Sequence, residues 1–370
     1  MDFDLNDDQR MLGDAVQRLV ERDYRFEQRR AYAAEPDGFS RALWAKAAGI
    51  GLLGLAYPPE EGGLGAGAVE VMLVMQALGR ALPLDPFLPT LVLGAAALRA
   101  ATAGQRASWV GAIASGDRVL AWAGAEPSSC IARRDASGWV LDGSVPAVLH
   151  GDSADALLLV AGLEGDASRR ALFIVDARAA GLAREGWRTH DGRRAADIRL
   201  QSVRCGAEAC LGDDSLVEAV EHAGIAALAA EAVGAMELAL GLTVEHLKTR
   251  VQFGAPLARQ QALQHRAAEM LMALEQSRSM AMYAALMLDE PDRAERARAL
   301  AAVKVQIGRA GRFVAQQAVQ LHGGIGVTEE CAVGHVLKRF ALLEGEFGDG
   351  SGHLAAFARS GGFIAAEAAA

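Results

Sequence analysis

The chain has 370 residues, of which 52% are hydrophobic and only 5% are aromatic, a mixture that favours close helix packing over aromatic-rich sheets. This length allows about two or three compact units, and the expected fold class is α+β, mainly α. A net charge of −9 excludes the broad basic face that binding to nucleic acid requires, so no nucleic-acid partner is expected.

The cysteines and the N-terminus predict a cytoplasmic location. Cys130, Cys205, Cys210 and Cys331 are scattered, and their spacing fits neither a zinc knuckle nor a redox pair, so no metal is expected. The first residues, MDFDLNDDQ, are acidic where a signal peptide would be basic and then apolar. No run reaches the ~20 apolar residues of a spanning helix, so no membrane span is expected.

Residues 1–117 are predicted to form an N-terminal helical domain. Asn6, with Gln9 three residues later, is typical of a capping box. The apolar residues that follow share one face of a helix: Met11, Leu12, Val16, Leu19 and Val20. Helical patterns recur over 40–53, 68–82 and 107–114, and an apolar core helix is expected around 91–98.

Residues 118–212 are predicted to form a middle β domain. Short apolar runs bounded by Gly, Asp and Arg recur there, namely VLAWA, GWVLDG, DALLLVA, ALFIVD and ADIRLQSV. Their spacing favours an antiparallel, barrel-like sheet. From 213 to 370 the pattern returns to long helices, over about 215–249, 256–288, 297–321 and 332–343, which indicates a C-terminal four-helix bundle.

Two motifs in the helical region can be interpreted structurally or functionally. In RVQFGAPL (250–257), Arg250 follows a long helix, where it either compensates the helix dipole or grips a phosphate with its guanidinium group. In QLHGGIG (320–326), the glycines either end a helix or bring the backbone close to a ligand. Each motif alone favours the structural interpretation.

The motifs together, in this order, resemble the acyl-CoA dehydrogenase family of flavoproteins over nearly the whole chain. The resemblance is carried by GIGLLGLAYPPEEGGLG, GWVLDGSVPAVLHGDSADALLLVA, RVQFGAPL and QLHGGIG. Within the family, AEAVGAMELALGLTVEHLKTRVQFG and HVLKRFALLEGEFGDGSGHL are most similar to the small subunits of two-component members such as pimeloyl-CoA dehydrogenase.

This resemblance implies a three-domain fold that binds FAD and oxidises an acyl-CoA thioester to a trans-2-enoyl-CoA, with an electron-transfer acceptor. It also implies a homodimer or tetramer, or a heterotetramer with a homologous chain. Matching the motifs residue by residue assigns FAD contacts to Arg250, Phe253, Gln261, Gln320, Gly323 and Gly324. The last three would reach FAD across a dimer interface.

The sequence departs from the family pattern beside the flavin. The usual Trp-Ile-Thr or Trp-Ile-Ser is here Ala147-Val148-Leu149, and leucine has no side-chain hydrogen-bond donor. The usual Thr-Glu-Pro is Ala125-Glu126-Pro127, with Ser128 and Ser129 as the nearby hydroxyls.

The family's catalytic base has no direct counterpart. Counting without gaps from the glycine motif places Phe347 at one family position of the base, and counting from Phe253-Gly254 places Gly224 at the other. Glu346 is adjacent to Phe347, but neighbouring residues point in different directions. The carboxylates of the loop 344–349 are therefore expected to be caps or interface charges.

Glu231 is a second candidate base because it interrupts the apolar run IAALAAEAVGAM two turns after Gly224. A buried carboxyl group with a raised pKa can serve as a general base. The alternative is a carboxylate satisfied by an interhelical partner. Three hypotheses stay open: a homo-oligomeric dehydrogenase that uses Glu231 or Glu346, a supporting subunit that contacts FAD in a heteromer, and a binding module without dehydrogenation.

Overall fold

The computed structural model describes residues 5–124 and 129–362. Helix α1 (Asp7–Asp23) begins with the predicted capping box: Asn6 Oδ1 accepts from the Gln9 N–H at 2.8 Å, and Gln9 Oε1 accepts from the Asn6 N–H at 3.0 Å. The expectation that Met11 belongs to the buried face is wrong, because its side chain is 60% exposed. At 100° per residue it lies about 140° around the helix from the buried Val16.

Four of the five remaining N-terminal helices fall on predicted patterns. The apolar run at 91–98 forms a π-helical turn (Leu88–Leu93) that continues into α5. Helix α6 starts four residues before its predicted pattern because Thr102 and Gln105 form a second capping box. The helices are α2 (Phe26–Tyr32), α3 (Arg41–Gly49), α4 (Ala68–Gly79), α5 (Gly94–Arg99) and α6 (Ala103–Ala114).

Eight strands form one sheet between Leu120 and Asp213, in the order β6-β7-β3-β2-β4-β5-β8, with β1 also paired to β4. The exposed edge strand β6 was not predicted, since its sequence LAREGWR has no alternating apolar residues. The strands are β1 (Leu120–Ala123), β2 (Cys130–Asp135), β3 (Gly138–Leu149), β4 (Ala156–Leu163), β5 (Asp166–Asp176), β6 (Leu182–Arg188), β7 (Arg194–Cys205) and β8 (Cys210–Asp213).

The prediction of an antiparallel barrel-like sheet is wrong in two respects. Strands β1 and β2 both run parallel to β4, so the sheet is mixed. Among the described strands the order ends at β6 and β8, which do not pair with each other, so no closed barrel forms. Apolar runs locate strands, but they do not say which strands become neighbours, because pairing is decided by contacts distant in sequence.

The C-terminal region has five helices joined by short connections. Helix α10 has the predicted bounds, whereas α8 begins five residues later than predicted because the intervening residues form the hairpin β9 (Val251–Gln252) and β10 (Ala255–Pro256) and a short 3₁₀ turn. Helix α11 was not predicted. The helices are α7 (Asp214–Thr249), α8 (Gln261–Met287), α9 (Arg293–His322), α10 (Ala332–Leu343) and α11 (Gly350–Arg359).

Helix α9 packs against α8, α10 and α11. At Gly311 of α9, a Cβ would lie 2.0 Å from the ring of Phe340 on α10, so the missing side chain lets these two helices approach closely. The arrangement of a four-helix bundle stays a prediction.

Helix α7 packs against α4 through glycines. A Cβ on Gly234 would lie 2.0 Å from the Gln76 carbonyl oxygen, and a Cβ on Gly79 would lie 2.1 Å from the carbonyl oxygen of Glu231. Real Cβ atoms do not approach backbone so closely, so both positions need glycine for this helix crossing. The crossing therefore holds the backbone of Glu231 directly against Gly79 of α4.

Among the described residues, α7 is the one helix whose length and composition would allow it to cross a membrane, with a mean hydropathy of 1.7 over an 18-residue window. Glu231 and Glu237 interrupt the apolar part of α7, so the helix meets this criterion by its average hydropathy and not through an unbroken run of ~20 apolar residues. The same window is 72% buried inside the fold, as in a core helix of a soluble protein, so the criterion is weak evidence for a membrane span.

The chain folds into two compact units, each assembled from separate segments. One comprises Met1–Gln28, Ala68–Pro83 and Ile225–Ala370, and the other comprises Arg29–Gly67 and Leu84–Gly224. The first unit is helical and the second contains the sheet. The predicted division into domains 1–117, 118–212 and 213–370 stays a prediction.

Candidate active site and cofactor cavity

The ends of α7, α8 and α9 and the β9–β10 hairpin surround a cavity of about 490 Å³. Three predicted cofactor residues, Arg250, Gln320 and Gly323, line it. The other three, Phe253, Gln261 and Gly324, are each next in sequence to a lining residue. The fold therefore brings two motifs that are distant in the chain to one cavity.

The two-residue turn of the RVQFG hairpin has an unusual residue, a phenylalanine, at a position with positive φ. The turn residues Phe253 and Gly254 have φ angles of 53° and 77°. Glycine adopts this left-handed conformation freely, but a phenylalanine is strained in it. The Phe253 side chain is also 92% exposed. The strained turn thus presents an aromatic ring away from the rest of this chain.

Gly323 ends α9 with φ 66° and ψ −146°, a conformation that is essentially restricted to glycine. No heavy atom lies within 4 Å of the position that its Cβ would occupy. The backbone at this end of the cavity is therefore open to the close approach of a ligand.

The charged groups that line the cavity are basic. Arg250 comes from the end of α7 and Arg266 from α8, and no carboxylate is among the lining residues. A phosphate or pyrophosphate group would find complementary charge here, because guanidinium groups bind such oxyanions through paired N–H donors.

Both candidate bases contact the same arginine. Arg339 of α10 donates to Glu231 Oε1 from Nε at 2.7 Å and to Glu231 Oε2 from Nη2 at 3.2 Å, while its Nη1 donates to Glu346. The side chains of Arg339 and Glu231 are only 1% and 3% exposed. The geometry supports the alternative interpretation of Glu231, a carboxylate satisfied by an interhelical partner.

Lys304 of α9 is held beside this ion cluster. Its Nζ donates to the carbonyl oxygens of Leu343 at 2.7 Å and Glu344 at 3.2 Å, the last residues around the C-terminus of α10. Burial lowers the pKa of Lys304 to about 8, although the nearby carboxylate of Glu346 acts in the opposite direction. These two hydrogen bonds therefore hold the start of the loop 344–349 against α9.

The loop 344–349 contains the caps that the sequence predicts. Asp349 Oδ1 accepts from the Gly352 N–H at 2.7 Å and is the N-cap of α11, while Glu344 pairs with Arg312. Phe347, at the family position of the base, has a positive φ of 58°, and its carbonyl oxygen lies 2.7 Å from His353 Nε2. No carboxylate stands at that position.

The substituted flavin-side segment lies at the end of β3. Leu149 pairs with Ala195 of β7 and offers no side-chain donor. Ala147, which lies in a register shift between the two strands, has a positive φ of 56°, and so does His150 with 60°. The other substituted stretch, Ala125-Glu126-Pro127 with Ser128, lies outside the described residues.

Several residues of these sites were not predicted from the sequence. His246 could have been found, because it precedes Arg250 by four residues and so shares its helix face, and His322 lies inside the quoted QLHGGIG motif. Arg339 is a lone charge on the apolar face formed by Val336, Phe340 and Leu343. Within 5–124 and 129–362, no group of three or more His, Cys, Asp and Glu side chains could hold a metal ion.

Comparison with known proteins decides the family. The acyl-CoA dehydrogenase N-terminal domain model matches residues 6–117, and the C-terminal domain model matches residues 222–360. FadE12, an acyl-CoA dehydrogenase of Mycobacterium tuberculosis, is 32% identical over 320 residues, which is 81% of this chain and 82% of FadE12. The chain belongs to the acyl-CoA dehydrogenase family.

Further relatives and solved structures are similar to this acyl-CoA dehydrogenase. The human mitochondrial short-chain specific acyl-CoA dehydrogenase is 27% identical over 80% of this chain and 77% of its own. The solved ChsE4-ChsE5 complex from Mycobacterium tuberculosis contains a similar chain, with a TM-score of 0.89 and 26% identity over 97% of this chain and 98% of that one. A Mycobacterium smegmatis glutaryl-CoA dehydrogenase, solved with FADH2, has the same fold with a TM-score of 0.86 at 22% identity.

This acyl-CoA dehydrogenase is an oxidoreductase that acts on CH–CH bonds, and its cofactor is FAD. The basic cavity and the open backbone at Gly323 fit the pyrophosphate of such a dinucleotide. Leu149, by contrast, lacks the side-chain hydroxyl that the family places beside the flavin ring.

Proposed function

We propose that this chain is one subunit of a heteromeric acyl-CoA dehydrogenase that converts an acyl-CoA thioester to a trans-2-enoyl-CoA, with a homologous partner chain supplying the catalytic base. The observation that carries the proposal is the contact of Arg339 with both Glu231 and Glu346. A carboxylate whose oxygens accept from a buried guanidinium is stabilised as an anion and held away from an α-proton.

The reaction requires a base and a hydride acceptor at opposite sides of the substrate. A carboxylate takes the α-proton of the thioester, and FAD, when bound, accepts the β-hydrogen with its electron pair. Arg250, Gln320 and Gly323 of this chain would hold the nucleotide part of the cofactor. A general base contributes roughly 10²–10⁴-fold to such a rate, and in this proposal the partner chain supplies it.

The exposed apolar residues near the cavity support a partner chain. The exposed fractions of Val251, Phe253, Ile325 and Val327 are 55%, 92%, 55% and 73%. Exposure of large apolar side chains to water is unfavourable, whereas a second subunit would cover them. The ChsE4-ChsE5 structure is a complex of two named proteins, which makes a heteromer a reasonable arrangement for a chain similar to one of them.

The proposal includes the closer resemblance to the small subunits of two-component members such as pimeloyl-CoA dehydrogenase. It also includes an electron-transfer acceptor. We propose a cytoplasmic location as well, where the free cysteines would stay reduced. A homo-oligomeric enzyme is the second candidate, since Glu346 is the more exposed arginine partner, at 16%. That enzyme would need Arg339 to release a carboxylate. A purely structural subunit that contacts FAD is the third.

The test is to purify the chain alone and together with an acyl-CoA dehydrogenase chain encoded beside it, and to follow flavin bleaching by a series of acyl-CoAs. We expect bleaching only in the co-purified assembly, with Glu231→Gln and Glu346→Gln changing its rate no more than the exposed control Glu245→Gln. Full bleaching by the chain alone, abolished by either of the first two variants, would establish the homo-oligomeric enzyme instead.

A further inference from the structure

Two histidines stack at the wall of the cofactor cavity. The rings of His246, from α7, and His322, from α9, have centroids 4.4 Å apart and planes inclined by 25°. His322 Nδ1 lies 2.8 Å from the Ala318 carbonyl oxygen, which can only accept, so Nδ1 carries a hydrogen. This hydrogen bond holds the His322 ring on which His246 stacks.

The cavity has a basic group on each helix that lines it. His246 comes from α7 and Arg250 directly follows that helix, Arg266 comes from α8 and His322 from α9, while the hairpin contributes the neutral Gln252. Arg266 Nη1 donates to Gln317 Oε1 of α9 at 3.3 Å, which directs its guanidinium across the gap between α8 and α9. No lining residue is acidic, so an anion in the cavity meets only basic or neutral groups.

We propose that Arg266 and His246 bind the pyrophosphate of the dinucleotide together with Arg250, that His322 stacks against His246 and holds its ring at the cavity wall, and that protonation of His246 tightens this binding as the pH falls. The proposal rests on the proposed function, in that the dehydrogenase cofactor brings a pyrophosphate diester to this cavity. Arg266 acts as a second guanidinium, and the His246 ring acts as a titratable donor.

The surroundings of the pair give the pH dependence its direction. Burial, together with the neighbouring His322 and Arg250, lowers the pKa of His246 below its usual value, which favours the neutral ring when no anion is bound beside it. A bound anion favours the protonated ring. Proton uptake is therefore coupled to binding, and the affinity for the anion rises as the pH falls.

The experiment measures the binding of ADP-ribose to the full chain by calorimetry between pH 5.5 and 8.5. Both phosphates of ADP-ribose are diesters, so its charge stays constant over this range, and it carries neither flavin nor thioester. We expect the affinity to rise about tenfold from pH 8.5 to 5.5, which corresponds to a change of about one pKa unit. Failure of dehydrogenase activity would not change this result.

Three variants separate the contributions. Arg266→Met should lower the affinity about fivefold at every pH, whereas Arg309→Met, which removes an exposed arginine of α9 outside the cavity, should not change it. His246→Phe keeps a stacked ring but cannot be protonated, so it should flatten the pH dependence; His246→Gln repeats the test without a ring. Absence of ADP-ribose binding, a wild-type affinity independent of pH, or an equal loss in the two arginine variants would overturn the proposal.

Discussion

Arg339 of α10 donates two hydrogen bonds to Glu231 of α7, from Nε at 2.7 Å and from Nη2 at 3.2 Å. Glu346 completes the cluster on Nη1. With side chains only 1%, 3% and 16% exposed, these three groups hold two negative charges and one positive charge almost out of water. Such a cluster is sensitive to the loss of its central member, because the partners left behind cannot be solvated.

Replacing Arg339 with methionine should lower the free energy of unfolding by about 3–5 kcal/mol, since it leaves a buried carboxylate without its counter-charge. Urea unfolding at pH 7 measures the change. The control is Arg312→Met, which breaks the pair with Glu344 at a side chain that is 54% exposed and should cost less than about 1 kcal/mol. Equal losses in the two variants would contradict a buried cluster.

The buried Lys304 predicts a pH dependence of stability. Burial is the main cause that lowers its pKa to about 8 from the usual 10.5 of a lysine. Between these two pH values the unfolded chain keeps a proton that the folded chain has released, so the free energy of unfolding rises with pH, by up to about 3 kcal/mol in total. Below pH 8 both states are protonated, and this contribution becomes constant.

The variant Lys304→Met isolates that contribution because it cannot titrate. Urea unfolding of both proteins from pH 7 to pH 10 should show the wild type gaining stability relative to the variant as the pH rises. Two parallel curves over this range would mean that the lysine is protonated equally in the folded and unfolded states.

The crossing of α4 and α7 makes Gly234 intolerant of a side chain. Gly234→Ala would place a Cβ 2.0 Å from the Gln76 carbonyl oxygen, and such overpacking should destabilise the fold by about 1–3 kcal/mol. The matched control is Gly241→Ala on the same helix, where nothing lies within 4 Å. That change should instead stabilise the helix by up to about 1 kcal/mol, and thermal unfolding would reveal the opposite signs.

Arg250 should contribute to retention of the cofactor. Arg250→Met removes a charged donor from the cavity, which should weaken FAD binding by about 1.5 kcal/mol, or roughly tenfold. Lys248→Met, two residues earlier on α7 and paired with Glu245 at 2.9 Å, removes the same charge outside the cavity and should leave retention unchanged. Flavin absorbance per chain after gel filtration compares them. Equal flavin content in both variants would assign Arg250 to helix capping alone.

Features that depend on residues close together in the chain were predictable from the sequence. The Asn6–Gln9 capping box, the bounds of α10 and the helical and strand-forming regions follow from hydrogen bonds and side-chain periodicity within a few residues. The motifs RVQFG and QLHGGIG likewise predicted one cofactor site, because the family resemblance assigns FAD contacts to residues of both motifs.

Only the tertiary structure decided how distant segments meet. Arg339 and Glu231 are 108 residues apart in the chain, and no local pattern indicates that one guanidinium takes up both candidate bases. Local sequence patterns likewise do not indicate that β1 and β2 pair in parallel with β4. Nor do they indicate that His246, Arg266 and His322 meet at one cavity. Each depends on the packing of helices and strands, because burial and ion pairing are settled by the neighbours that the whole fold brings together.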